Sequence, residues 1–232
     1  MLKKYISNLI VSEIKFEPTD CQLKMAHKLA DFITFENSDV VFLLKGFAGT
    51  GKTTALSSLV RVLDTLKMKT VLLAPTGRAS KVLSKYSGKP ATTIHKKIYR
   101  QQRSNDGYGK FSLDRNLHTN TIFIIDEASM ISNLPQENNI FGSGNLLADV
   151  VEYVMTGENC RLVLSGDTAQ LPPVGFSLSP ALEEEELKYF DLEVFKCELT
   201  QVVRQAQKSG ILENASLAFK NNYCTWLRHR ES

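Results

Sequence analysis

Val40-Val41-Phe42-Leu43-Leu44-Lys45-Gly46-Phe47-Ala48-Gly49-Thr50-Gly51-Lys52-Thr53-Thr54 is the stretch from which the rest of the chain is read. Its first five residues form a continuous apolar run of strand length, the pattern of a strand buried on both faces in a parallel sheet. Residues 46–53 fit G-x-x-x-x-G-K-[ST] at every fixed position, and the segment from Lys52 to Leu66 reads as a helix. Strand, glycine-rich turn and helix in that order make a cradle for phosphate groups. The glycines let the backbone curl until several N–H groups point inward, and the helix turns its positive N-terminus to the same anion. The candidate nucleotide-binding residues are therefore Gly46, Ala48, Gly49, Thr50, Gly51, Lys52, Thr53 and Thr54. Lys52 is expected to reach the β- and γ-phosphates of ATP, and the Thr53 hydroxyl to ligate Mg²⁺.

The same alternation continues outward. Strands are expected at residues 70–74, 121–125, 161–164 and 193–199, and helices at 19–35, 78–85, 92–99, 145–155 and 209–220. Residues 100–118 are polar and glycine-containing, with Tyr108 and Phe111, and read as an inserted loop or small hairpin. The expected fold is α/β: a parallel sheet with helices on both faces, spanning residues 1–222. Residues 223–232 follow no period and read as an irregular tail.

Composition narrows the class. The chain has 232 residues, 43% of them hydrophobic and 23% charged, enough to bury a core without disulfides. Lys plus Arg exceeds Asp plus Glu by only 28 to 25, a balance that neither demands nor excludes nucleic acid. Cys21, Cys160, Cys197 and Cys224 form no C-x-x-C pair, so zinc and a disulfide framework are set aside. A reducing, cytoplasmic setting is expected, with no membrane span and no secretory leader.

A second chemical signal lies in Ile122-Phe123-Ile124-Ile125-Asp126-Glu127, an apolar strand ending in two acids. Beside a phosphate-binding loop, Asp126 suits Mg²⁺ and Glu127 suits polarising the attacking water. The pair continues as Ala128-Ser129. Further on stand Gly166-Asp167-Thr168-Ala169-Gln170-Leu171-Pro172-Pro173-Val174-Gly175 and Leu199-Thr200-Gln201-Val202-Val203-Arg204-Gln205. This ordered set resembles the superfamily 1 DNA helicases of the RecD-like and Dda-like branch, over residues 19–214.

The resemblance implies more than the residues alone do, beginning with a RecA-like P-loop NTPase fold. Gln22, in a T-x-x-Q setting, would read the adenine edge. Gln170 would sense the γ-phosphate and couple it to DNA, and Arg204 would stabilise transition-state charge, joining Lys52 and Glu127 as the catalytic set. Pro75-Thr76-Gly77 and Thr93 with His95 resemble segments that grip single-stranded DNA through its backbone, with Lys81, Lys96 and Lys97 adding sequence-independent attraction. The insertion falls where this branch carries an element that splits the duplex, with Tyr108 or Phe111 able to stack on a base. Family members carry two motor lobes and move 5′ to 3′. No second lobe is visible in this sequence, so slow hydrolysis without unwinding is expected from the chain alone. Its partners would be single-stranded DNA and either a second motor domain or nuclease–helicase subunits. Two other readings stay open: an ATP- and DNA-binding chain without meaningful turnover, and a P-loop ATPase unrelated to DNA.

Overall fold

A computed structural model describes residues 1–14, 17–102, 110–133, 140–170, 173 and 179–201. Arg204, Tyr108, the expected helix 209–220 and the tail 223–232 lie outside the described residues. In chain order the elements begin with α1 (Leu2–Ser12), α2 (Asp20–Ile33), β1 (Val40–Gly46), α3 (Lys52–Thr65) and β2 (Lys69–Ala74). Next come α4 (Gly77–Ser87), β3 (Ala91–Thr93), α5 (Ile94–Ile98), β4 (Tyr99–Gln101), β5 (Phe111–Leu113) and β6 (Thr121–Ile125). After a 3₁₀ turn at Ala128–Met130 follow α6 (Leu146–Met155), β7 (Arg161–Gly166), a second 3₁₀ turn at Pro180–Leu182, α7 (Glu184–Lys188) and β8 (Glu193–Leu199).

Six strands form one sheet in the order β3-β2-β6-β7-β1-β8, every pairing parallel. β1 lies inside it and pairs on both edges, which is why its first five residues are all buried and apolar. Successive side chains of a strand face opposite ways, so Val40, Phe42 and Leu44 join the core under α1, α2 and α3. Val41 and Leu43 join the core under α5 and α6. This is the RecA-like α/β arrangement read from the sequence.

α2 starts at a reciprocal capping box. Thr19 accepts from the Gln22 main-chain N–H (3.3 Å), and Gln22 Oε1 accepts from the Thr19 N–H (3.0 Å). Its far end is closed by Arg161, buried at the start of β7, whose guanidinium donates to the Phe32 and Phe35 carbonyls at the helix C-terminus.

α7 was not among the expected helices, and two further features differ from the sequence reading. The N-terminal segment forms α1, whose Ile6 and Ile10 enter the core against α2 and α3, and Arg61 fixes its end by donating to Glu13 (2.5 Å). Residues 92–99 are not one helix. Ala91–Thr93 is an edge strand on β2, because Thr92 and Thr93 are β-branched and suit an extended backbone. Thr93 then caps the short α5, and Tyr99 enters β4. β4 and β5 pair antiparallel as a separate hairpin. Phe111 stacks on Phe141 with ring centroids 4.7 Å apart, so one of its faces is engaged within the protein. Among the described residues no helix is long and apolar enough to cross a membrane.

Candidate nucleotide site

Because all six strands run the same way, their C-terminal ends share one edge of the sheet, the edge at which α/β folds place ligands. The loop after β1 lies there. Gly46 ends β1 where a side chain would not fit: a Cβ would stand 2.7 Å from Thr50 Oγ1 and 2.8 Å from the Leu199 carbonyl of β8. Gly51 has φ +91°, a left-handed conformation that other residues adopt at a cost. It caps α3 without a side-chain acceptor, which leaves first-turn N–H groups of α3 available to an anion. Thr50 is buried and donates its hydroxyl to the Phe47 carbonyl (2.8 Å), bracing the loop.

Lys52 folds over this loop. Its ammonium donates to the Gly46 and Phe47 carbonyls at 2.6 and 2.9 Å, with Asp167 Oδ2 3.6 Å away. Asp167, at the end of β7, also accepts from the Ala169 N–H (2.9 Å). It was not among the expected site residues, although a Gly-Asp pair closing an apolar strand was visible in the sequence.

Asp126 ends β6, next to β7 in the sheet, and is only 8% exposed. Ser165 in β7 donates to its Oδ1 (3.1 Å). Burial pushes the Asp126 carboxyl above the ordinary carboxylate range, and the Glu127 charge adds to this. The Glu127 main-chain N–H, the Ser165 hydroxyl and Lys52 pull the other way without cancelling it. A carboxylate held in that tension gains from a divalent cation, so its chemistry fits Mg²⁺.

Glu127 sits at φ +57°, unusual for a side-chain-bearing residue, and that backbone heads the 3₁₀ turn at Ala128–Met130. Gln170 Nε2 donates to Glu127 Oε2 (3.0 Å), while Gln170 Oε1 accepts from the Ser129 hydroxyl (2.6 Å). The structure thus brings Lys52, Asp126, Glu127 and Gln170 to one edge across β1, β7 and β6.

The other expected residues lie further along that edge. Pro75-Thr76-Gly77 follows β2, while Thr93 ends β3, which is paired with β2, and His95 lies just beyond it. β2 is three strands from β1, about 14 Å at the usual spacing. Thr76 and Thr93 cap their helices, accepting from the Ala79 N–H (3.2 Å) and the Lys96 N–H (3.3 Å). The His95 ring packs against Phe141 and Tyr99, and burial pushes its pKa down. Gln22 is buried, with its carbonyl end taken by the capping box. The neighbouring Cys21 Sγ meets Thr200 Oγ1 beyond the end of β8 (3.4 Å), which puts the α2 N-terminus beside the strand that flanks the loop.

Fold and loop together define a RecA-like P-loop NTPase lobe. A family described as the AAA domain matches residues 29–225, and the chain belongs to that family. The ATP-dependent RecD2 DNA helicase of Deinococcus radiodurans is 31% identical over 177 residues, 75% of this chain and 21% of that protein. The ATP-dependent DNA helicase dda of Enterobacteria phage T4 is 30% identical over 164 residues, 69% of this chain and 34% of that one. Within its family the chain is of the RecD-like and Dda-like superfamily 1 motor type. The Pif1 helicase from Candida albicans superposes with a TM-score of 0.47 at 21% identity, over 80% of this chain and 42% of that one. The chain spans about a fifth to a third of the length of these two curated relatives.

Proposed function

We propose that this chain is the ATP-binding and ATP-hydrolysing lobe of an ATP-dependent DNA helicase, and that it engages single-stranded DNA. The observation that carries the reading is the gathering of Lys52, Asp126, Glu127 and Gln170 at the sheet edge where the glycine loop opens. In this reading residues 46–54 cradle the phosphates, and Gln22 lies on the adenine side. The reaction is in-line attack of water on the γ-phosphate. Glu127 takes the water proton, and Lys52 leaves its loop carbonyls to balance charge on the β- and γ-phosphates. Arg204 adds a guanidinium to the same charge. Mg²⁺, held by Thr53 and Asp126, would supply the remaining charge neutralisation between the phosphates.

The DNA track is assigned to the far end of the same edge. Thr76 and Thr93 use their hydroxyl oxygens as cap acceptors, so each O–H proton remains to donate to a phosphate oxygen. His95, with its lowered pKa, contributes a neutral imidazole contact. Arg78, Lys81 and Lys85 are exposed on α4, a helix without an acidic residue, and Lys96 is exposed on α5. They supply attraction that does not depend on sequence. The lobe is taken as residues 1–222 with β4–β5 as its insertion. Unwinding in the 5′ to 3′ direction is assigned to the whole protein, with a second motor domain or partner subunits closing on the nucleotide.

Equilibrium binding tests the reading in its two halves. A fluorescent ATP analogue should bind in the presence of Mg²⁺ and lose its affinity in Lys52→Ala. A labelled oligothymidine should bind at low salt and weaken steeply as salt rises. Nucleotide binding without any affinity for the oligomer would leave a P-loop ATPase unrelated to DNA.

A further inference from the structure

The contact between Gln170 and Glu127 does not stand alone, because a third residue fixes its polarity. A carboxylate only accepts hydrogen bonds, so the group facing Glu127 Oε2 must be the Gln170 amide nitrogen, 3.0 Å away. The amide oxygen then faces Ser129 Oγ at 2.6 Å, and the Ser129 hydroxyl must donate. The chain of donors runs Ser129 to Gln170 to Glu127. Ser129 is fully buried, whereas Gln170 is exposed and starts from a loop, so the serine is the fixed end of the chain. Its backbone lies against the end of β7: a Cβ on Gly166 would come within 3.0 Å of the Ser129 nitrogen. The second Nε2 hydrogen of Gln170 has no partner among the described residues.

We propose that Ser129 is a positioning residue that orients the Gln170 amide so that one N–H holds Glu127 and the other faces the terminal phosphate. The inference rests on the reading of Glu127 as the base. Without the Ser129 hydroxyl, Gln170 Oε1 loses its donor and the side chain is free to swing out into solvent. Glu127 then loses its anchor, while the phosphate cradle, built from other residues, stays intact.

The test compares Ser129→Ala, Ser129→Thr, Gln170→Ala, Ser129→Ala/Gln170→Ala and Glu127→Gln in the full chain. Steady-state ATP hydrolysis is measured beside affinity for a fluorescent ATP analogue. Ser129→Ala should lower kcat about fivefold to tenfold, with nucleotide affinity changed less than about twofold. Ser129→Thr, which keeps the hydroxyl, should recover most of the loss. The double variant should be no slower than Gln170→Ala, since both remove the same relay. The Gln170 side-chain NH₂ resonances in a ¹⁵N–¹H spectrum should move to solvent-exposed positions in Ser129→Ala and stay in place in Ser129→Thr, a readout that needs no turnover. Unchanged kcat and unmoved Gln170 resonances in Ser129→Ala, or additive losses in the double variant, would overturn the relay. Wild-type turnover in Glu127→Gln would instead overturn the assignment of the base.

Discussion

Lys52→Ala is expected to cost stability as well as nucleotide binding, and the structure gives the size of that cost. The ammonium makes two charge-assisted hydrogen bonds to the Gly46 and Phe47 carbonyls and lies 3.6 Å from Asp167. The Lys52 and Asp167 side chains are 12% and 6% exposed, so neither charge is fully screened by water. A hydrogen bond to a charged group contributes roughly 1.5–3 kcal/mol, and removing one partner leaves the other to bear its desolvation. Two features reduce the loss. The Phe47 carbonyl belongs to an exposed residue and can be rehydrated, and Asp167 keeps the Ala169 N–H. The net expectation is about 1–3 kcal/mol, a drop of roughly 2–12 °C in Tm for a chain of this size. Adding Asp167→Asn should recover part of that drop by removing the carboxylate left without its cation. Thermal unfolding of the three proteins checks both steps. ATP at about 100 times its Kd should stabilise the wild type by roughly 2.7 kcal/mol and neither variant. A Lys52→Ala protein that melts with the wild type, or a double variant that melts below it, would refute the coupling of Lys52 to Asp167.

Asp126→Asn should raise stability at neutral pH while abolishing Mg²⁺-dependent turnover. The folded-state pKa is raised, so the native protein holds this proton more tightly than the unfolded chain. The stability it contributes therefore falls as pH climbs from the usual carboxylate pKa through the folded value, and the Asn variant should gain on the wild type only above that window, as denaturant titrations at several pH values would show. Thr76→Ala should cost about 1 kcal/mol by uncapping α4, and should weaken oligothymidine binding without changing nucleotide affinity. Fluorescence anisotropy at two salt concentrations reads the second effect. Phe111→Ala should destabilise the β4–β5 hairpin through the lost stack on Phe141, by roughly 1 kcal/mol or more, seen as faster hydrogen exchange at the Gly142 amide, which donates to the Phe111 carbonyl.

How far the sequence could be read followed the strength of its patterns. β1, β6 and β8 were legible because each is a run of strand length closed by a chemical marker: the glycine loop, the Asp126-Glu127 pair, or Thr200-Gln201. α2 and α6 were legible from apolar spacing, and in the structure Thr19 and Asn145 cap their starts. The α1 helix was not legible because Ile6 and Ile10, among Lys3, Lys4, Ser7 and Asn8, form an apolar face too narrow to stand out before it packs on α2 and α3. The edge strand at Ala91–Thr93 was missed because a three-residue strand has no period of its own and is set by pairing with β2. In the site, the motifs pointed to Lys52, Asp126 and Glu127, and the family resemblance pointed to Gln170. Neither could show that Lys52 lies against Asp167, that Ser165 supports Asp126 from the neighbouring strand, or that Ser129 turns Gln170 toward Glu127. Those contacts are 39 to 115 residues apart in sequence or depend on the turn after β6, so only the folded chain brings them together.

ATP hydrolysis by this chain, with and without single-stranded DNA and beside a Lys52→Ala control, tests the central claim most directly. The account predicts slow turnover that rises with DNA and disappears in the control, because one sheet edge carries both the nucleotide residues and the Thr76 and Thr93 segments. Turnover that is indifferent to DNA, or that survives the loss of Lys52, would contradict it.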